Sequence, residues 1–332
     1  MKTTLWTCSL LAFGLMPLKA VDAPALLIVP DDPPQRVWVT ASSSTNIEYK
    51  TTTNSVDRKR VPRSKVDSVY FFEPKPYKAA MKLYRNRDYK GAQEQFTLTK
   101  EAFKSVDDLP GNFSTLSAFY ELECARRQGD LEGLSALLED YLSGPLMRED
   151  QKTQEEVYVA WDAVRTKSWP RLNSLADEML SQNKWTSSQL AQIYYCKGLA
   201  LEALNRPLHA LNAFNGAFTA DFTASEELTK LATLACLRII DNHDEVRLAR
   251  DLYDTEDRDE NSEGHRLLLE GTALCELWNK ALGGGKALPE EYRSFLKYKK
   301  KEGPVSLEEK PKADKKPEAG EKPKADKKPK AE

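Results

Sequence analysis

The chain has 332 residues, 40% of them hydrophobic and 30% charged, enough apolar material for a substantial core. Its formal net charge of -2 leaves no global basic excess of the kind that nucleic-acid binding requires.

The first twenty residues, MKTTLWTCSLLAFGLMPLKA, read as a secretory signal. One lysine stands near the start, an apolar run extends from Leu5 to Leu15, and Ala20 offers a small residue for cleavage. The run is shorter than the roughly 20 apolar residues a permanent span needs. Cys8 follows Trp6-Thr7 inside that run, a poor context for lipidation. No later segment is apolar enough to span a bilayer, so the mature chain is expected to be periplasmic or secreted, with outer-membrane association as the alternative.

Residues 21–36, VDAPALLIVPDDPPQR, are punctuated by prolines and predict an extended leader. Over residues 37–73 the period becomes two. VWVT, NIEYKTTT, KRVP and SVYFFE read as short strands of a small antiparallel β unit, a single meander docked on the helical region after it.

After Pro74 and Pro76 the pattern is helical to Lys301. It divides into six hairpins whose first helices start near Pro76, Phe113, Lys152, Ser188, Glu226 and Ser262, a repeat of about 37 residues. Breakers fall where that division needs them, at Asn86-Arg87-Asp88, Gly129-Asp130, Lys167-Ser168, Asn205-Arg206-Pro207 and Asn242-His243-Asp244. In the fourth hairpin, YYCKGLALEALNRPLHALNAFNGAF, Gly198 and Ala210 supply the small side chains that let two helix axes approach to about 8–10 Å. Leu201 and Phe214 fill the space beside that crossing.

These residues resemble the tetratricopeptide repeat family. The fourth hairpin carries Tyr194, Gly198, Ala210, Phe214 and Ala217 at the family's separations. The first has Ala80, Asp88-Tyr89, Ala92 and Phe96, and the second Gly129-Asp130, Leu134 and Leu138. The third and fifth match weakly, through Ala160, Leu172 and Ala176, then Ala249 and Tyr253; the sixth hardly matches. The repeat, about 37 residues, is longer than the family's 34. The resemblance covers roughly residues 75–300. It implies an all-α fold, a tetratricopeptide-like α-solenoid over residues 74–301, and a concave groove lined by first helices that binds a peptide or partner helix. Laying the family's spacing on the first three hairpins puts Tyr77, Met81, Tyr84 and Arg85, then Phe119, Glu123, Arg126 and Arg127, then Val157, Trp161 and Arg165 on the groove side. Arginine forks beside aromatics suit an acidic or carboxylate-ended peptide; the plain alternative is solvated arginines and core aromatics.

The tail, residues 302–332, repeats EKPKADKKP and lacks aromatics, so it is expected to stay disordered. It reads as a solvated spacer whose lysines favour weak contact with an anionic envelope surface. Cys124, Cys196, Cys236 and Cys275 show no zinc spacing; they read as packed thiols, with Cys196 and Cys236 on adjacent first helices as the pair to test for a disulfide. His209, His243 and His265 have no partner at ligand spacing, and Gly283-Gly284-Gly285-Lys286 lacks the frame of a phosphate loop. No metal, cofactor or catalytic constellation is expected. The expected role is a non-enzymatic adaptor in a bacterial cell envelope, binding protein but not nucleic acid. The alternatives are a structural protein anchored by the β unit and tail, and a ligand-binding protein or enzyme with a pocket between hairpins. In a eukaryotic secretory protein, Asn112-Phe113-Ser114 would be a glycosylation site.

Overall fold

The computed structural model describes residues 22–220 and 226–299. The signal and tail expectations lie outside them. The described chain is mostly helical, with a small antiparallel sheet at its N-terminal end.

Five strands form the sheet: β1 (Ala23–Ile28), β2 (Gln35–Ser42), β3 (Asn46–Lys50), β4 (Lys59–Pro62) and β5 (Ser68–Phe71). Their order is β4-β3-β2-β1-β5, so β5 returns to the far side of β1 and the unit is not a plain meander. The extended leader is corrected here: residues 23–28 are a strand with a partner on each side. Alternation in APALLI wins over its proline, because Ala23, Ala25 and Leu27 face inward and are buried. Pro24 lacks a donor but still accepts a hydrogen bond at its carbonyl from Phe72 N–H, 2.9 Å. Val37, Val39 and Ile47 complete the inner face, which packs on Tyr77, Phe96, Phe103, Val106, Leu109 and Phe113. Arg63 Nη1 pins the sheet to Asp108 Oδ2 at 2.6 Å, and Ser42 Oγ donates to the same side chain.

Eleven α-helices follow among the described residues. They pair as α1 (Lys75–Arg85) with α2 (Tyr89–Ala102), α3 (Phe113–Gln128) with α4 (Leu131–Leu138), and α5 (Glu149–Arg165) with α6 (Trp169–Leu180). Next come α7 (Ser187–Ala203) with α8 (Pro207–Ala220) and α9 (Glu226–Asp241) with α10 (Asp244–Asp251), then α11 (Glu263–Leu277). A 3₁₀ segment, Glu290–Tyr298, takes the place of α11's missing partner. First helices begin at intervals of 36 to 39 residues. Each helix packs on the next in sequence, and α1 also touches α3, α5 touches α7, α7 touches α9, and α9 touches α11.

Local chemistry sets these boundaries. Asn112 caps α3 by accepting from Thr115 N–H at 2.7 Å, and Thr186 with Gln189 forms a capping box at α7. Asn112 is buried, and its amide donates to the carbonyls of Asp107 and Leu109, so the structure removes it as a glycan acceptor. Inside the first four hairpins, Arg87, Gly129, Lys167 and Asn205 all take a left-handed conformation, with φ of 65°, 74°, 53° and 58°. The N–H of the next residue then reaches back five positions each time, from Asp88 to Leu83, Asp130 to Ala125, Ser168 to Ala163 and Arg206 to Leu201, at 2.9–3.0 Å. One turn geometry is thus used four times.

The fourth hairpin closes on Gly198, where an added Cβ would come within 2.5 Å of the Phe214 ring. Gly271 of α11 meets Phe295 in the same way, at 2.6 Å. The sixth pair therefore repeats the close crossing of the fourth, with its aromatic placed later in the chain by the loop after Leu282.

Candidate partner-binding face

The first helices carry more than apolar seams. Glu123 on α3, almost fully buried, receives both forks of Arg126, Nε at 2.9 Å and Nη2 at 2.7 Å. Tyr158 OH, from α5, donates to the same carboxylate at 2.9 Å. Burial alone would raise the Glu123 pKa, but Arg126, then Arg127 and the Tyr158 hydrogen bond, overcome it and hold the carboxyl at about 2. Arg126 is buried as well, and its pKa is raised because Glu123 outweighs the desolvation.

Further pairs link the next first helices. Gln154 on α5 and Gln192 on α7 exchange amide hydrogen bonds at 3.0 and 3.3 Å, and Trp161 Nε1 donates to Gln192 at 3.0 Å. Arg238 on α9 grips Glu202 on α7 with two bonds, 2.9 and 2.7 Å. The three links span 35, 38 and 36 residues, so the side-chain bonding recurs with the repeat itself.

A contact of a different kind joins the start of α9 to the first hairpins. Tyr89 OH donates to Glu227 Oε1 at 3.1 Å, while Arg127 Nη1 and Arg87 Nε approach the same carboxylate at 3.7 and 3.6 Å. The Arg127 guanidinium also lies 5.2 Å over the Tyr84 ring. Leu228 follows Glu227 into the apolar cluster formed by α3 to α7.

The eleven residues named from the sequence differ in exposure. Tyr77, Phe119, Val157 and Trp161 are buried, as are Glu123 and Arg126. Met81, Tyr84, Arg127 and Arg165 are half-buried, and Arg85 is exposed. Arg126 is taken by Glu123, and Arg165 by Asp162 at 2.9 Å and Glu132 at 3.2 Å, so these forks already hold carboxylates of the chain. Gln154, Tyr158, Gln192, Glu202, Arg238 and Glu227 are not legible as site residues in the sequence. Their signal is polar side chains recurring at the repeat spacing inside otherwise apolar first helices.

Chemistry elsewhere is sparse. His265 is buried and stacks on Tyr253 with ring centroids 5.8 Å apart, and His209 is exposed. Cys124, Cys196, Cys236 and Cys275 are free and buried. Cys196 and Cys236 belong to different apolar clusters. Burial pushes the thiols of Cys124, Cys236 and Cys275 up to about 12 and raises that of Cys196 likewise. Among the described residues, no group of three or more His, Cys, Asp or Glu could hold a metal ion, and no helix is long and apolar enough to cross a membrane. Comparison with family models, curated proteins and solved structures finds no match to this chain.

Proposed function

We propose that this chain is a non-enzymatic scaffold of tetratricopeptide type, an α-solenoid exported to a bacterial cell envelope, whose first-helix face receives a peptide or helix of a partner protein. The observation that carries the reading is the recurrence of side-chain links between successive first helices at separations of 35, 38 and 36 residues. Such serial bonding belongs to a stack in which each unit contacts its neighbours, and stacks of this kind present extended binding surfaces. The four identical hairpin turns support the same reading.

On this reading Arg85 is the exposed part of the face, and Met81, Tyr84 and Arg127 are its half-buried part, with Arg127 next to Glu227. A carboxylate-ended partner would pair with Arg85 and compete with Glu227 for Arg127, because the Glu227 contacts to arginine are longer than a charge-assisted hydrogen bond of about 2.7–2.9 Å. Co-purification from the native envelope with Arg85→Glu and Glu227→Gln variants tests this. Arg85→Glu is expected to lose the partner and Glu227→Gln to retain more of it. Equal recovery with both variants and wild type would discard the face as the binding site.

A further inference from the structure

A groove of about 350 Å³ lies between the third and fourth hairpins, where α6, α7 and α8 meet. That volume falls within the range of small-ligand pockets, about 300–1,000 Å³. α7 lines it with Tyr194, Lys197 and Leu201. At 3.6 residues per turn these three share a side of α7 turned away from Gln192 and Glu202, which carry the links between first helices. One wall is α8, with Arg206 at its entry and then His209 and Asn212 at intervals of three, spaced as neighbours along one helix face. Arg206 N–H donates to the Leu201 carbonyl at 2.9 Å, which fixes the turn end of the groove. Tyr194 packs over Gly216, which fixes the far end. From the opposite wall, α6, Asp177 Oδ1 accepts from Lys197 Nζ at 2.6 Å.

The two walls differ in what they leave unused. Arg206, His209 and Asn212 are exposed, and their side chains make no hydrogen bond or ion pair among the described residues. Asp177 is the only carboxylate on the lining, and Lys197 already holds it. Charges just outside balance: Arg171 and Glu178 on α6 have opposite signs, and Glu202 on α7 is held by Arg238 at 2.7 Å. The lining is therefore positive on the α8 side. A carboxylate would fill one arginine fork and leave His209 idle, whereas a phosphate monoester brings three acceptor oxygens to two adjacent donors. Beyond them, Asn212 and the Lys197–Asp177 pair offer donors and acceptors together, the pattern that hydroxyl groups satisfy. We propose that this groove binds a phosphate monoester of a hydroxylated carbon skeleton, a sugar phosphate. Arg206 and His209 take the phosphate oxygens, and Asn212, Lys197 and Asp177 take the hydroxyls. The site lies across α7 from the first-helix links and stands or falls independently of the partner-binding face.

The test is isothermal titration calorimetry of the full chain with glucose phosphorylated on its primary hydroxyl. Glucose, inorganic phosphate and glucuronate are the controls, lacking in turn the anion, the hydroxylated skeleton and the phosphate. Saturable binding of the monoester at one site per chain is expected, with each control at least tenfold weaker. Arg206→Gln should weaken the monoester at least tenfold, the scale of one lost charge-assisted hydrogen bond. His209→Ala should weaken it in the same direction, and Asn212→Ala should weaken the monoester while leaving inorganic phosphate unchanged. All three side chains are exposed and unbonded among the described residues, so melting temperatures are expected to match wild type. Arg171→Gln, a charge of the same sign on α6 outside the lining, should leave binding unchanged. No saturable binding, or inorganic phosphate or glucuronate binding as tightly as the monoester, would overturn the proposal. So would an equal loss from Arg171→Gln and Arg206→Gln, which would show a general attraction of anions to the surface.

Discussion

Glu123 shows how a single buried charge can be held in place. Its carboxylate is compensated by the bidentate Arg126 and a tyrosine hydroxyl, so removing Arg126 takes away its close countercharge and leaves only Arg127, 3.6 Å away. Arg126→Ala is expected to cost about 3–5 kcal/mol in urea denaturation, the usual range for breaking a buried pair. The pH dependence follows from the same site. A carboxyl with an ordinary value of 4.5, held at about 2 in the fold, stabilises the protein fully above pH 4.5. That contribution is lost as pH falls from 4.5 toward 2, on the order of 3 kcal/mol in all. Urea midpoints at pH 7, 4 and 2.5 should therefore fall more steeply for wild type than for Glu123→Gln; parallel slopes would show that Glu123 is not the group responsible. Gly198 works by bulk instead of charge. With the Phe214 ring within 2.6 Å of an added Cβ, Gly198→Leu overpacks the crossing, and Phe214→Ala empties it at a cost of about 3–5 kcal/mol. Thermal melts of both variants should fall well below wild type.

Hairpin turns repeat more faithfully than hairpin sequences do. Arg87, Gly129, Lys167 and Asn205 share a left-handed conformation that only one of them, glycine, adopts without steric cost. For an L-residue that cost is about 1–2 kcal/mol, partly offset by the larger entropy glycine loses on folding. Lys167 is exposed, so Lys167→Gly should stabilise the protein by about 0.5–1 kcal/mol, measurable as a higher urea midpoint. A lower midpoint would mean that the lysine side chain contributes more than its backbone costs. These turns were legible in the sequence because breaker residues sit at them. β1 was not, because four prolines over residues 24–34 masked a short alternation whose partners come from distant strands. Nor was the closing 3₁₀ segment, since Phe295 meets Gly271 across a glycine loop that breaks the spacing used by Gly198 and Phe214. The bonding between first helices was hidden for a related reason. Gln154 and Gln192 look like surface residues until two helices are laid side by side.

Among the described residues, apolar packing falls into three clusters in chain order: the sheet with the first hairpin, α3 through α7, and α7 through Tyr298. The sheet packs on the first hairpin, and Glu290–Tyr298, anchored by fully buried Phe295, packs on α11. In a stack where units contact mainly their neighbours, damage should stay local. Phe295→Ala is thus expected to raise amide hydrogen exchange in α11 and Glu290–Tyr298 while leaving α1 to α3 protected. Two contacts depart from this: Asn215 on α8 donates to Glu270 on α11 at 2.8 Å, and Glu227 and Leu228 tie the start of α9 to α2, α3 and the middle cluster. Glu227→Ala should therefore loosen two regions far apart in sequence, the beginning of α9 and the turn between α1 and α2, without exposing α11. Exchange followed by mass spectrometry resolves the two patterns. If either variant instead raised exchange evenly from Lys75 to Tyr298, the helices would share one cooperative core and the stacked-scaffold reading would lose its physical basis.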